Sequence, residues 1–153
     1  MKPNFNQNYS GIKCRVCLVR DGAPDEIIKI SEPSDAYELV KDELGNSDRE
    51  MFLSIMLTVK NVLIGVETVA VGSIVAITVT PRDVFKSAIL ANAVAIIVCH
   101  NHPSGELTPS LNDIAITKEL VNAGELLGIK VLDHLIISNQ GYKCLRDYQE
   151  LPK

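Results

Sequence analysis

Basic residues are few and dispersed in this chain. Lysine and arginine number 15 against 19 acidic residues, the formal net charge is −4, and the pI is about 5.3. Aromatic residues make up 5% of the sequence, tryptophan is absent, and no basic run has aromatics interleaved. Nucleic-acid-binding domains usually carry a basic patch, so charge gives no support to that class of partner. No apolar run reaches the ~18 residues that span a bilayer, which argues against a membrane protein. The opening Met1-Lys-Pro-Asn-Phe-Asn-Gln-Asn lacks the apolar core of a secretion signal. A cytoplasmic setting with reduced cysteines is therefore expected. Of the four cysteines, Cys14 and Cys17 form a C-x-x-C. No second pair or nearby histidine completes a zinc set, and a structural role is expected. Strand alternation turns Cys99 away from His100, as a buried packing residue.

What is present is enough for one folded domain. The 153 residues are 46% hydrophobic, which excludes general disorder and leaves little room for two cores. Residues 1–11 are polar. Short strands are expected at 12–19 and 26–30, around an Asp21-Gly22-Ala23-Pro24 turn. Pro33 opens a helix of about ten residues, with Gly45 as its terminator. Met51–Val59 reads as a buried strand, turned by a two-residue Lys60-Asn61 link into a second strand over 62–69. The run resumes over 74–79. Pro81 starts a helix reaching about Asn92. A buried strand ends at Cys99. Ser110 opens a long helix to about Leu127, with Gly128 in its left-handed end position. Strands over 130–132, 135–138 and 142–145 close the chain. Intermixed strands and helices predict an α/β fold, an α/β/α sandwich on a mixed sheet. Residues 1–47 are expected to form an N-terminal segment, with short strands and one helix, packed on a main domain at 48–153.

The chemistry concentrates in His100-Asn101-His102-Pro103-Ser104-Gly105 and the following Pro109-Ser110-Leu111-Asn112-Asp113. At a strand's end, residues i and i+2 share a side, so His100 and His102 can aim two imidazoles at one point. Asp113, at the start of the next helix, can add an oxygen. Two nitrogens and a carboxylate make the ligand set of a catalytic zinc site, with a fourth position left for water. Ser110-x-x-Asp113 also reads as a helix-capping arrangement that needs no metal. Capping does not explain the paired histidines.

The spacing His100-x-His102, seven residues, Ser110, two residues, Asp113 resembles the JAMM (MPN+/JAB) metalloproteases. The fuller string HNHPSGELTPSLNDI is similar to the RadC branch of that superfamily. So are Leu57–Asn61, Thr80–Lys86, Ala91–Ala95 and Leu132–Ile137, within a resemblance running from Asp48 to the end of the chain. It implies a JAB/MPN, cytidine-deaminase-like architecture, a Zn2+ cofactor, and hydrolysis of a peptide or isopeptide substrate. It also implies an upstream glutamate as general base at the start of a core strand. Glu50, directly before Met51, fits, and Glu67 is the rival. Ser110 becomes the oxyanion donor. Ser104 is expected to form the turn after His102, Asn101 to brace that loop, and His134 to act behind the ligands.

Longer RadC-like proteins carry a helix-hairpin-helix segment before the metal domain, and no such pattern is visible before Glu50. A DNA-repair association comes only with the family. The alternative to an enzyme is a metal-stabilised or DNA-associated binding module with little turnover. A structural site normally closes with a fourth protein ligand, and Glu50 and Ser110 favour the enzyme. A zinc deaminase fits poorly: it wants His-x-Glu and a downstream Pro-Cys-x-x-Cys.

Overall fold

A computed structural model describes residues 16–22, 26–72 and 79–147. Helix α1 (Pro33–Gly45) is followed by strands β1 (Met51–Leu57) and β2 (Leu63–Val71). Helix α2 (Pro81–Leu90), strand β3 (Ala95–Asn101), helix α3 (Leu111–Leu127) and strands β4 (Lys130–Ser138) and β5 (Gly141–Cys144) complete it, before a 3-10 turn. The five strands form one sheet in the order β2-β1-β3-β4-β5. Among the described residues only β3 and β4 pair in parallel, joined across α3 as parallel neighbours require.

Alternation along the strands builds two cores. Leu53, Ile55, Leu57, Ile97, Cys99, Leu135 and Ile137 face α1, whose Ala36, Val40 and Leu44 are buried against them. Phe52, Met56, Ile96 and Val98 face the other way, onto Val84, Phe85 and Ala88 of α2 and Leu120 of α3. β1 and β3 are covered on both faces, which is why they read as continuous apolar runs rather than alternating ones. The result is the expected α/β/α sandwich on a mixed sheet. Burial raises the Cys99 thiol, as its packing role implies.

The three α-helices among the described residues start with the same device. Glu32, Thr80 and Ser110 are N-caps, and each is paired with an aspartate at the third helical position in a reciprocal capping box. α3 ends as read, with Gly128 at φ 71°. α1 likewise ends at Gly45, as its sequence implies. A Cβ there would sit 3.3 Å from the Asn139 backbone, so glycine permits a close approach to the β4–β5 turn.

Other local expectations are corrected. The β1–β2 link is a three-residue turn, not two: Asn61 N–H donates to Thr58 C=O, Thr58 N–H to Val62 C=O, and Asn61 takes φ 57°. Asparagine tolerates that left-handed region, and the flanking strands keep their twist. β4 runs unbroken through Asp133 and His134. Residues 16–20 form no strand, and Lys29 makes only an isolated bridge to Val62. Cys17 is exposed. Cys14, and the strand read over 74–79 apart from Val79, lie outside the described residues.

Candidate metal centre

The paired histidines stand where β3 leaves the sheet, and α3 begins beside them. His100 is 1% exposed and Asp113 6%. His100 Nε2 and His102 Nε2 lie 3.0 Å apart. Asp113 Oδ1 is 3.2 Å from His100 Nε2, and Asp113 Oδ2 is 3.3 Å from His102 Nε2. These three side chains form a group whose donor atoms all lie within 4.8 Å of one another, with no fourth His, Cys, Asp or Glu in it among the described residues. A tetrahedral ion with bonds of ~2.0–2.1 Å separates its donors by about 3.3 Å. The observed spacing fits a small divalent cation, and two imidazoles with one carboxylate are a donor set that suits a first-row transition metal.

Each donor is held by a partner behind it. Past His102, Gly105 adopts φ 78° and donates its N–H to His102 C=O. This turn brings the Glu106 carbonyl to 2.9 Å from His102 Nδ1. A carbonyl only accepts, so Nδ1 carries the proton in the neutral ring and Nε2 keeps its lone pair. Ser104 Oγ accepts from Glu106 N–H within the same turn, at 3.3 Å, and is exposed.

His100 is fixed by a longer chain. Its Nδ1 is 2.7 Å from His134 Nε2, and His134 Nδ1 is 2.6 Å from Thr117 Oγ1. The Thr117 hydroxyl donates back to the Asp113 carbonyl one helical turn earlier. Its single proton is thereby used, so Thr117 accepts from His134 Nδ1–H. His134 Nε2 then accepts from His100 Nδ1–H, and His100 Nε2 points its lone pair at the centre. Burial, followed by the His100 imidazole, pushes His134 well below the usual histidine range, in keeping with the neutral ring this chain needs. Phe52 stacks on His100 at 6.0 Å between ring centroids and meets His134 edge-on at 5.4 Å. Thr117 was not singled out from the sequence. The available signal was its position four residues after Asp113, on the same helix face.

Asp113 both caps α3 and faces the two imidazoles. Its Oδ2 accepts from the Ser110 N–H at 2.6 Å and the Ser110 hydroxyl at 2.7 Å, while Asp113 N–H donates to Ser110 Oγ at 3.1 Å. Capping is therefore compatible with a metal-binding orientation: the cap orients the carboxylate and leaves Oδ1 facing His100. Burial alone would raise this carboxyl. The two imidazoles and Ser110 outweigh it and hold Asp113 well below the usual carboxylate range. Asp113 in turn raises His102, against the opposing effect of burial.

Glu50 is half-buried directly before β1, and its charge is among those that raise His102. Continuing the register Phe52↔His100 by two residues sets Glu50 opposite His102. Glu67 is opposite Ser54, farther along β1, and its carboxylate accepts the Ser87 hydroxyl of α2. Asn101 does not brace the His102 loop. Its amide bonds the chain entering β1, at Arg49 C=O and Met51 N–H.

Comparison with known proteins agrees with this geometry. Residues 30–150 match the RadC-like JAB domain family. A UPF0758 protein of Methanosarcina mazei is 44% identical over 119 residues, covering 78% of this chain and 52% of that protein. A UPF0758 protein of Caldanaerobacter subterraneus is 47% identical over 114 residues, covering 74% of this chain and 49% of that one. One from Staphylococcus haemolyticus is 46% identical over 121 residues, covering 79% and 53%. The chain thus spans about half the length of the curated relatives it matches. With its mixed five-stranded sheet, its two strand-end histidines and the aspartate that opens α3, this chain belongs to the RadC-like JAB domain family.

Proposed function

We propose that the protein is a zinc-dependent hydrolase that cleaves an amide or isopeptide bond with an activated water. The observation that carries this reading is the three-donor group of His100, His102 and Asp113, with Glu50 at its rim and no fourth ligand among the described residues. Structural zinc sites close with four protein ligands, whereas catalytic ones keep a position open. Bound by these three residues, zinc supplies Lewis acidity, which activates water and polarises a carbonyl.

The chain's own residues do the rest. Glu50 takes the proton of the attacking water and passes it to the leaving nitrogen. Ser110 donates its hydroxyl to the carbonyl oxygen as charge develops there. For that it must turn its proton away from Asp113 Oδ2, its present acceptor. His134 and the Glu106 carbonyl keep both ligand imidazoles in the tautomer that offers Nε2.

The test is a peptide and isopeptide library screen with zinc-loaded protein and its Glu50→Gln variant. The variant is expected to keep the metal and lose roughly 10²–10⁴-fold in turnover. Wild-type turnover surviving intact in Glu50→Gln would refute the mechanism.

A further inference from the structure

The middle residue of His100-Asn101-His102 points away from both imidazoles. Asn101 is 2% exposed, so its amide needs partners inside the protein. It finds them on the chain that enters β1. Oδ1 accepts from Met51 N–H at 2.8 Å, and Nδ2 donates to Arg49 C=O at 2.9 Å. The residue between these two peptide groups is Glu50.

The β1–β3 ladder starts only at Phe52↔His100. One residue beyond it, the Asn101 side chain takes over the pairing, presenting a donor and an acceptor as a peptide group would. Two further ties hold the same stretch. Glu50 C=O accepts from Gly72 N–H at 2.7 Å, and the Ser47 hydroxyl donates to Arg49 C=O at 2.8 Å. Side-chain direction follows from the alternation. Met51 packs in the α1-side core and Phe52 stacks on His100, so Glu50 faces the histidine side. Without the Asn101 amide, Arg49 C=O and Met51 N–H lose their link to β3, and the Glu50 segment is tied on the β2 side alone, through Gly72 N–H.

We infer that Asn101 is a positioning residue that locks Glu50 against the metal centre by clamping the peptide groups on either side of it. Of the residues this size, asparagine alone pairs an amide donor with a carbonyl acceptor. The triplet then does two jobs on one strand: its outer residues hold the metal, and its middle residue fixes the base. This rests on the reading of Glu50 as general base. A displacement of ~1 Å in such a group can cost on the order of 10²-fold in rate.

The experiment is a double-mutant cycle of Asn101→Ala and Glu50→Gln in zinc-loaded protein, with zinc affinity and thermal unfolding measured alongside. Amide exchange at Met51 and the Glu50 side-chain carboxyl NMR signal during zinc titration complete the set. Asn101→Ala is expected to lower kcat about 10–100-fold with KM and zinc affinity little changed, while costing nothing further in the Glu50→Gln background. Met51 amide protection should fall. Equal losses in both backgrounds, or unchanged Met51 protection, would overturn the inference. Failure of the hydrolase reading is distinguishable, since the zinc-loaded wild type would then cleave nothing. The clamp is in that case judged by the Glu50 carboxyl signal. A zinc-induced shift lost in Asn101→Ala supports it, and equal shifts in both proteins overturn it.

Discussion

Replacing Ser110 by alanine separates three roles that its one hydroxyl combines. The hydroxyl accepts Asp113 N–H at 3.1 Å as an N-cap and donates to Asp113 Oδ2 at 2.7 Å. In the proposed reaction it also donates to the developing oxyanion. The stability cost comes from the cap alone. The reciprocal half of the capping box, Ser110 N–H to Asp113 Oδ2 at 2.6 Å, survives the substitution, and Ser110 is exposed, so water can reach the freed Asp113 N–H. A loss of ~1 kcal/mol is expected, which lowers Tm by about 2–4 °C for a chain of this size. If the hydroxyl matters to metal binding only by bracing the carboxylate, zinc affinity falls ~10–100-fold and turnover recovers at saturating zinc. As an oxyanion donor, its loss costs on the order of 10²–10³ in kcat at saturating zinc, with KM little changed. The account expects the small melting shift together with the kcat loss. The assays are thermal unfolding, zinc titration, and steady-state kinetics at saturating zinc, with Ser104→Ala as the exposed-turn control. A Ser110→Ala protein that melts earlier yet turns over normally would reduce Ser110 to a cap. A kcat loss in Ser104→Ala instead would transfer the oxyanion role to that loop.

Glu67→Gln should leave turnover within a few fold, because its carboxylate is engaged by Ser87 on α2; a 10²-fold loss there would displace Glu50 as the base. His134→Leu breaks the chain that presents His100 Nε2, so zinc affinity should drop ~10–100-fold by calorimetry, and unchanged affinity would remove His134 from the centre's support. Gly124→Ala would drive a Cβ into the Ile129 carbonyl, with Phe85 and Val131 side chains 3.3 Å away. Overpacking of this kind costs ~1–3 kcal/mol, and an unaltered melting temperature would refute the tight α3–β4 junction.

The grouping of His100, His102 and Asp113 was legible because each member follows from a local rule. His100 and His102 share a strand face, and Asp113 occupies the third position of a helix whose cap, Ser110, is visible in the sequence. Glu50 became a candidate only through the family resemblance, since Asp48-Arg49-Glu50 alone reads as a solvated loop. The link between Asn101 and Met51 was not readable, because it joins positions fifty residues apart through β1–β3 pairing. The His100–His134–Thr117 chain was hidden for the same reason: it exists only once α3 packs over β4. In the fold, the two apolar strands were plain and their turn was not. Lys60-Asn61 favours a two-residue link as readily as the three-residue one that Asn61 completes at positive φ. Gly45 marked the end of α1, but its close approach to the Asn139 backbone could not be read from the sequence, because that contact needs the β4–β5 turn in place.

The central claim is the metal centre, and calorimetric zinc titration of chelator-stripped protein, alongside His102→Ala, tests it most directly. The account predicts about one zinc per wild-type chain and an affinity loss in His102→Ala exceeding the ~10–100-fold typical of residues behind the ligands. Wild-type protein that takes up no zinc at saturation, or binds it equally well without His102, would contradict it.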